Sequence, residues 1–194
     1  MKYILKEITP LGKNDLFIAN YWPDNQMDFP LHFHEDYELC LTLNVRGKRI
    51  LGNLVEDFTE KDLVITTPNV LHCYKRDDAF LNVRCEVVVI QFPKELPSWG
   101  IFDPDQLRNI RGQPAPGLKF SEETAEAVRE RLLRLPRTEG FEAVQLFFGI
   151  LHELACADRT QVELIGVQSS DSTLPHSRRI NKIVQFVEKN YHHK

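Results

Sequence analysis

Between Tyr3 and Phe92 the chain is a succession of short runs rich in β-branched and aromatic residues. They are Tyr3 to Ile8, Leu16 to Trp22, Tyr37 to Val45, Lys48 to Leu51, Leu63 to Thr67 and Val83 to Phe92. Turn chemistry separates them at Leu11-Gly12-Lys13-Asn14, Trp22-Pro23-Asp24-Asn25, Arg46-Gly47 and Asp77-Asp78. Short strands packed this closely argue for a sandwich or a barrel, not for βαβ units.

After Pro93 the texture changes. Pro93, Pro97, Pro104, Pro114 and Pro116 mark an irregular connector, within which Asp105 to Arg111 reads as one short helix. Two amphipathic helices follow. Ser121 is placed to cap the first, with Glu122 and Glu123 in its first turn and Ala125, Val128 and Leu132 at helical spacing until Pro136 stops the run. The second runs from about Glu139 to Ala157, with Phe141, Val144, Phe148, Leu151 and Ala155 on one stripe and Phe147 and Leu154 widening it. Phe147 and Phe148 are adjacent and so point about 100° apart, which calls for two partners. The expected partners are the barrel and a second subunit, making a homodimer through this helix; the alternative is that both rings lie in a core between helices of one chain.

Residues 158–176 read as a linker. Gln168-Ser169-Ser170-Asp171-Ser172-Thr173 has no periodicity and no large apolar residue. Beyond it, Ser177 is placed to cap a helix whose Ile180, Ile183, Val184, Val187 and Tyr191 form one apolar stripe. Such a stripe has nothing sequential to pack on, so residues 177–194 are expected to open a further domain whose remainder lies outside the sequence, the alternative being that the helix docks back on the body. Charge divides at the same place. The net charge is −4, but residues 177–194 carry five basic side chains against Glu188, which leaves 19 basic and 27 acidic groups, a charge of −8, on residues 1–176. An acidic body repels nucleic acid, whereas a basic tail suits phosphate. No apolar run approaches the roughly 18 residues of a membrane span, and no secretory leader is present, so a cytoplasmic protein without membrane contact is expected. The four cysteines are scattered without a CxxC pair, and no disulfide framework is expected.

Chemistry concentrates in His32-Phe33-His34-Glu35-Asp36-Tyr37-Glu38 and in Pro68-Asn69-Val70-Leu71-His72. If Leu31 to Val45 is one extended segment, alternation puts His32, His34, Asp36, Glu38, Cys40, Thr42 and Asn44 on one face. That face carries no Lys or Arg and points two imidazoles the same way. His72, after a strand ended by a Pro turn, is able to reach the same place. Neutral imidazoles with one carboxylate suit a divalent ion with an open position. His32, His34, Glu38 and His72 are therefore the candidate metal ligands, and Cys40 and Thr42 join them as candidate ligand-binding residues.

These residues resemble the two signature motifs of cupins, whose metal ligands match His32, His34, Glu38 and His72. The departures are specific: the first Gly after Glu38 is Gly47, Lys61 stands where a Gly usually precedes the Asp matched by Asp62, and His72 follows Pro68 one residue sooner than in the generic pattern. The sensor domains of AraC-type transcription regulators share the shortened turn, the two helices after the barrel and the linker. They also share a helix of the kind Arg179-Ile180-x-Lys182-Ile183-x-x-Phe186-Val187-Glu188-x-Asn190-Tyr191.

The resemblance implies a mainly β fold, a cupin-like barrel or double-stranded jelly roll followed by two packing helices. Residues 1–157 then form a ligand-binding and dimerisation domain, 158–176 a linker and 177–194 the first helix of a DNA-binding domain. The implied function is effector sensing by a bacterial regulator, without catalysis, with DNA contacted only through the C-terminal domain. A divalent metal (Zn, Ni, Fe or Mn) or no cofactor at all remain open alternatives. So does a cupin metalloenzyme, an isomerase or dioxygenase, which needs an acid or base near the metal; Glu35, Asp36, Tyr37 and Tyr74 are the candidates.

Overall fold

The computed structural model describes residues 4–27, 29–96, 110 and 115–166. The short helix expected at Asp105 to Arg111 and the stretch 167–194, with its expected capped helix, lie outside the described residues.

Eleven strands and two helices are present among the described residues. The strands are β1 (Leu5–Lys6), β2 (Ile18–Trp22), β3 (His32–Phe33), β4 (Tyr37–Leu43), β5 (Gly47–Leu51), β6 (Leu54–Phe58), β7 (Lys61–Thr66), β8 (His72–Arg76), β9 (Glu86–Phe92), β10 (Gly117–Phe120) and β11 (Val162–Ile165); the helices are α1 (Glu122–Arg134) and α2 (Gly140–Cys156). They make two facing sheets in a jelly roll. One has the order β1-β3-β8-β5-β6 and the other β11-β10-β7-β4-β9-β2.

The six-stranded sheet is covered on both faces, which is why every residue of β4 is buried. Its outer face carries Leu39, Leu41, Leu43, Leu63, Ile65, Val88, Ile90 and Phe92, packed with Val128, Leu132, Phe147, Leu151 and Leu154 of the helices into one core. Its inner face carries Glu38, Cys40, Thr42, Val87, Val89 and Gln91, which line a cavity. Ser121 caps α1 by accepting from the Thr124 amide, and Glu122 and Glu123 lie in the first turn, as the sequence predicts. Phe147 stacks on Phe17 at 4.3 Å and meets Phe92 edge-on, so it faces the sheet. Phe141 is 75% exposed. No helix among the described residues is long and apolar enough to cross a membrane.

Two expectations are revised. Leu31 to Val45 is not one extended segment: the chain leaves the first sheet after Phe33, bends through residues 34–36 and enters the second sheet at Tyr37. The bend is closed by His34 Nδ1, 3.0 Å from the Asp36 carbonyl oxygen. Asp36 consequently turns away to accept from the Thr9 hydroxyl, and Asn44 is exposed in a left-handed turn at φ 62°. Part of the span 158–176, expected as a linker, is also ordered. Residues 162–165 form β11, paired with β10 in antiparallel register from Phe120↔Val162 to Gly117↔Ile165. Ile165 is buried against Leu51 and Val64, so the ordered body extends past the end of α2.

The turn expected at Arg46-Gly47 falls slightly earlier, because Gly47 already opens β5. A Cβ there would sit 2.0 Å from the Lys75 carbonyl oxygen, so the approach of β5 to β8 requires glycine.

Candidate metal and effector site

The bend at 34–36 builds the site. It places His32 on one sheet and Glu38 on the other, with His34 at the crossing. His72 enters from β8, where it stands opposite His32 in the antiparallel pair and opposite Leu51 of β5. The His32 and His72 rings are 4.1 Å apart between centroids, and those of His34 and His72 5.0 Å. All four side chains are buried. One ligand atom from each of His32, His34, Glu38 and His72 lies within 4.8 Å of the other three.

Three short-range hydrogen bonds orient the rings. The Nδ1 atoms of His32, His34 and His72 lie 2.9, 3.0 and 2.8 Å from the carbonyl oxygens of Pro30, Asp36 and Val70. A carbonyl oxygen only accepts, so each Nδ1 carries a proton, and in the neutral ring Nε2 keeps its lone pair for the interior. His34 Nε2 is 3.2 Å from Glu38 Oε2 and His72 Nε2 is 3.5 Å from Glu38 Oε1. Three imidazole lone pairs and a carboxylate facing one point, with backbone acceptors behind them, are a donor set of the kind that suits a divalent cation. Ligands of such an ion, with bonds of about 2.1 Å, stand about 3 to 4 Å apart, so a small inward movement completes the geometry.

The electrostatics keep most of the set ready. Burial, reinforced by the neighbouring His72, pushes the His32 pKa down to about 4, so this ring is neutral at physiological pH. Burial would raise Glu38, but the attraction of His72 and the closeness of the His34 ring outweigh it and hold the carboxyl far below its usual range. His72 is raised above 6.5, because the attraction of Glu38 overcomes burial.

Three of the four, His32, Glu38 and His72, line a cavity of about 590 Å³. Cys40 and Thr42 line the same cavity further along β4, together with Tyr74, Val87 and Val89. The Thr42 and Tyr74 hydroxyls and His72 Nε2 are buried without a hydrogen-bond partner. Groups left so in a native fold point to a ligand or ordered water. Burial raises the Cys40 pKa well above the ordinary value, so with no cation beside it this thiol stays protonated. Of the acid and base candidates, Glu35 pairs with Lys6 on the surface, Asp36 with Thr9, and Tyr37 stacks with Phe92 on the outer face of the sheet. Only Tyr74 reaches the cavity.

Sequence reasoning missed Glu7 and Gln91. Glu7 Oε2 is 3.2 Å from His32 Nε2, and the Gln91 amide lies 3.4 Å from both Glu7 Oε1 and Glu38 Oε2. Neither sits near the histidine motif in sequence; β1 runs parallel to β3 and Gln91 pairs with Glu38 across β4 and β9, relations that no local signal announces.

Among solved structures the chain is similar to an apo variant of ToxT from Vibrio cholerae. The identity is 13% and the TM-score 0.50, over 91% of this chain and 66% of that one. What the two share is the fold. The AraC-like transcriptional activator CuxR matches at 11% identity and a TM-score of 0.43 over 91% of this chain and 60% of its own. A cupin 2 conserved barrel domain protein from Rhodopseudomonas palustris matches at 16% identity and a TM-score of 0.33, over 42% of this chain and 55% of its own. The chain thus spans between about half and two thirds of the length of these proteins. Family models and curated protein sequences give no match.

Proposed function

We propose that this chain is the effector-sensing and dimerisation part of an AraC-type transcription regulator, with His32, His34, Glu38 and His72 holding a divalent cation at one end of a small-molecule cavity. The observation that carries the reading is the junction of that donor set with a largely apolar cavity, in which the Thr42 and Tyr74 hydroxyls lack partners. The resemblance of the motifs to AraC-type sensors and the fold shared with ToxT support the regulatory half. A bound cation supplies a Lewis-acidic point to which an oxygen of the effector attaches. The chain's own residues do the rest: backbone carbonyls fix the imidazoles, Thr42 and Tyr74 offer hydrogen bonds deeper in, and Val87 and Val89 bury the apolar part of the ligand.

Binding affects DNA contact by favouring one arrangement of the attached domains over another, which requires different effector affinity in the two. The second partner is another copy of this chain, packed through the exposed side of α2 around Phe141.

A thermal-shift screen of small metabolites against the zinc-loaded chain tests the reading. At a ligand concentration about a hundredfold above its Kd, linkage predicts about 2.7 kcal/mol of stabilisation. A true effector raises Tm in the wild type and does so less in Thr42→Val. Turnover of a small substrate that disappears in His34→Ala would instead make this a metalloenzyme of the cupin type.

A further inference from the structure

The N-terminal segment brings a second carboxylate to the histidine cluster. We propose that Glu7 is a fifth ligand of the ion held by His32, His34, Glu38 and His72, and that its coordination ties the N-terminal strand to the rim of the cavity. The inference rests on the metal reading of that cluster.

Glu7 Oε2 stands 3.2 Å from His32 Nε2, the same separation as between His34 Nε2 and Glu38 Oε2. Adjacent ligands on one ion, with bonds of about 2.1 Å, lie about 3 Å apart, so Glu7 stands at ligand spacing from His32, just outside the four atoms that lie within 4.8 Å of one another, and reaches a shared ion by a small inward movement. The Gln91 amide, within 3.4 Å of both carboxylates, turns Glu7 and Glu38 toward a common point. Two carboxylates brought together repel unless a cation or proton lies between them. Among the described residues no lysine or arginine lines the cavity, and the His32 ring beside Glu7 is neutral, so no protein cation offsets the carboxylate there. A second oxygen ligand also moves the set from a four-coordinate preference toward five or six positions.

Little else holds this segment. β1 is two residues long and joins β3 through Leu5 N to Leu31 O at 3.1 Å and Glu7 N to Phe33 O at 2.9 Å. The Lys6–Glu35 ion pair beside it is exposed and stabilises little. So short a strand is marginal by itself. Glu7 and Pro10 both line the cavity, so an ion that fixes Glu7 also fixes part of the wall that an effector must pass or touch.

The test uses the full chain stripped of metal, titrated with Zn²⁺ against a chromophoric competitor, with amide hydrogen exchange followed over residues 4–9. In the wild type, zinc is expected to slow exchange in that segment. Glu7→Gln keeps the side-chain shape, and it should lower zinc affinity about tenfold or more and abolish the added protection. Glu35→Gln, which breaks the Lys6 contact on the same segment, should leave affinity unchanged. Zinc affinity and protection in Glu7→Gln equal to wild type would overturn the fifth ligand while leaving the four-residue site intact. If wild type and His34→Ala both fail to bind zinc, the inference falls together with the metal reading, and the two failures are told apart by that comparison.

Discussion

His72 is where burial and charge oppose each other most directly. Burial disfavours its imidazolium, yet the facing Glu38 carboxylate overcomes this and raises the pKa above 6.5. A cation in the site takes the place of that proton, so binding is coupled to proton release wherever His72 is charged beforehand. His32, held near 4 by burial, stays neutral and adds nothing to this coupling near neutrality. Zinc affinity should therefore fall as pH is lowered from about 8 to about 6, starting at a higher pH than for a free imidazole near 6.5. Titrations across that range check it, and a flat profile would contradict it. A second buried pair has a structural role. Arg49 of β5 and Asp62 of β7 join the two sheets, both fully buried, and Arg49 also contacts Glu56 at 2.9 Å. Removing one partner strands a buried charge, so Asp62→Ala should cost about 3 to 5 kcal/mol in urea unfolding, whereas a paired apolar replacement of Arg49 and Asp62 should come near neutral.

Among the elements, α2 separates packing from association most clearly. Phe147 is fully buried between Phe17 and Phe92, and Phe147→Ala should cost about 3 to 5 kcal/mol in stability. Phe141 on the same helix is exposed, and Phe141→Ser should leave the unfolding free energy of the monomer within about 0.5 kcal/mol of wild type. The two helices were legible in the sequence because Ser121, Pro136 and the apolar stripes act locally. β4 and β9 were legible for the same reason. β3, β8 and β11 were not: His32-Phe33 is too short for any period, His72 to Arg76 mixes charges with aromatics, and Val162 to Ile165 becomes a strand only because β10 is there to pair with it. The site divides likewise. His32, His34 and Glu38 are neighbours in sequence and His72 follows a recognisable turn, whereas Glu7 and Gln91 arrive through strand pairings that close only in three dimensions.

At the scale of the whole molecule, the proposal joins two properties of one acidic jelly roll, a metal in the histidine cluster and association through α2. Sedimentation at micromolar concentration should give a dimer that Phe141→Asp shifts to monomer, and a monomeric wild type would contradict the association. What fills the space between His32, His34, Glu38 and His72 decides most about the molecule. Elemental analysis of the chain, purified without chelator and without an affinity-tag nickel column, measures this directly. Close to one divalent transition metal or zinc ion is expected per wild-type chain, and close to none in His34→Ala or His72→Ala folded to the same extent. Metal-free wild-type protein that takes up no zinc, nickel, iron or manganese on reconstitution would contradict it.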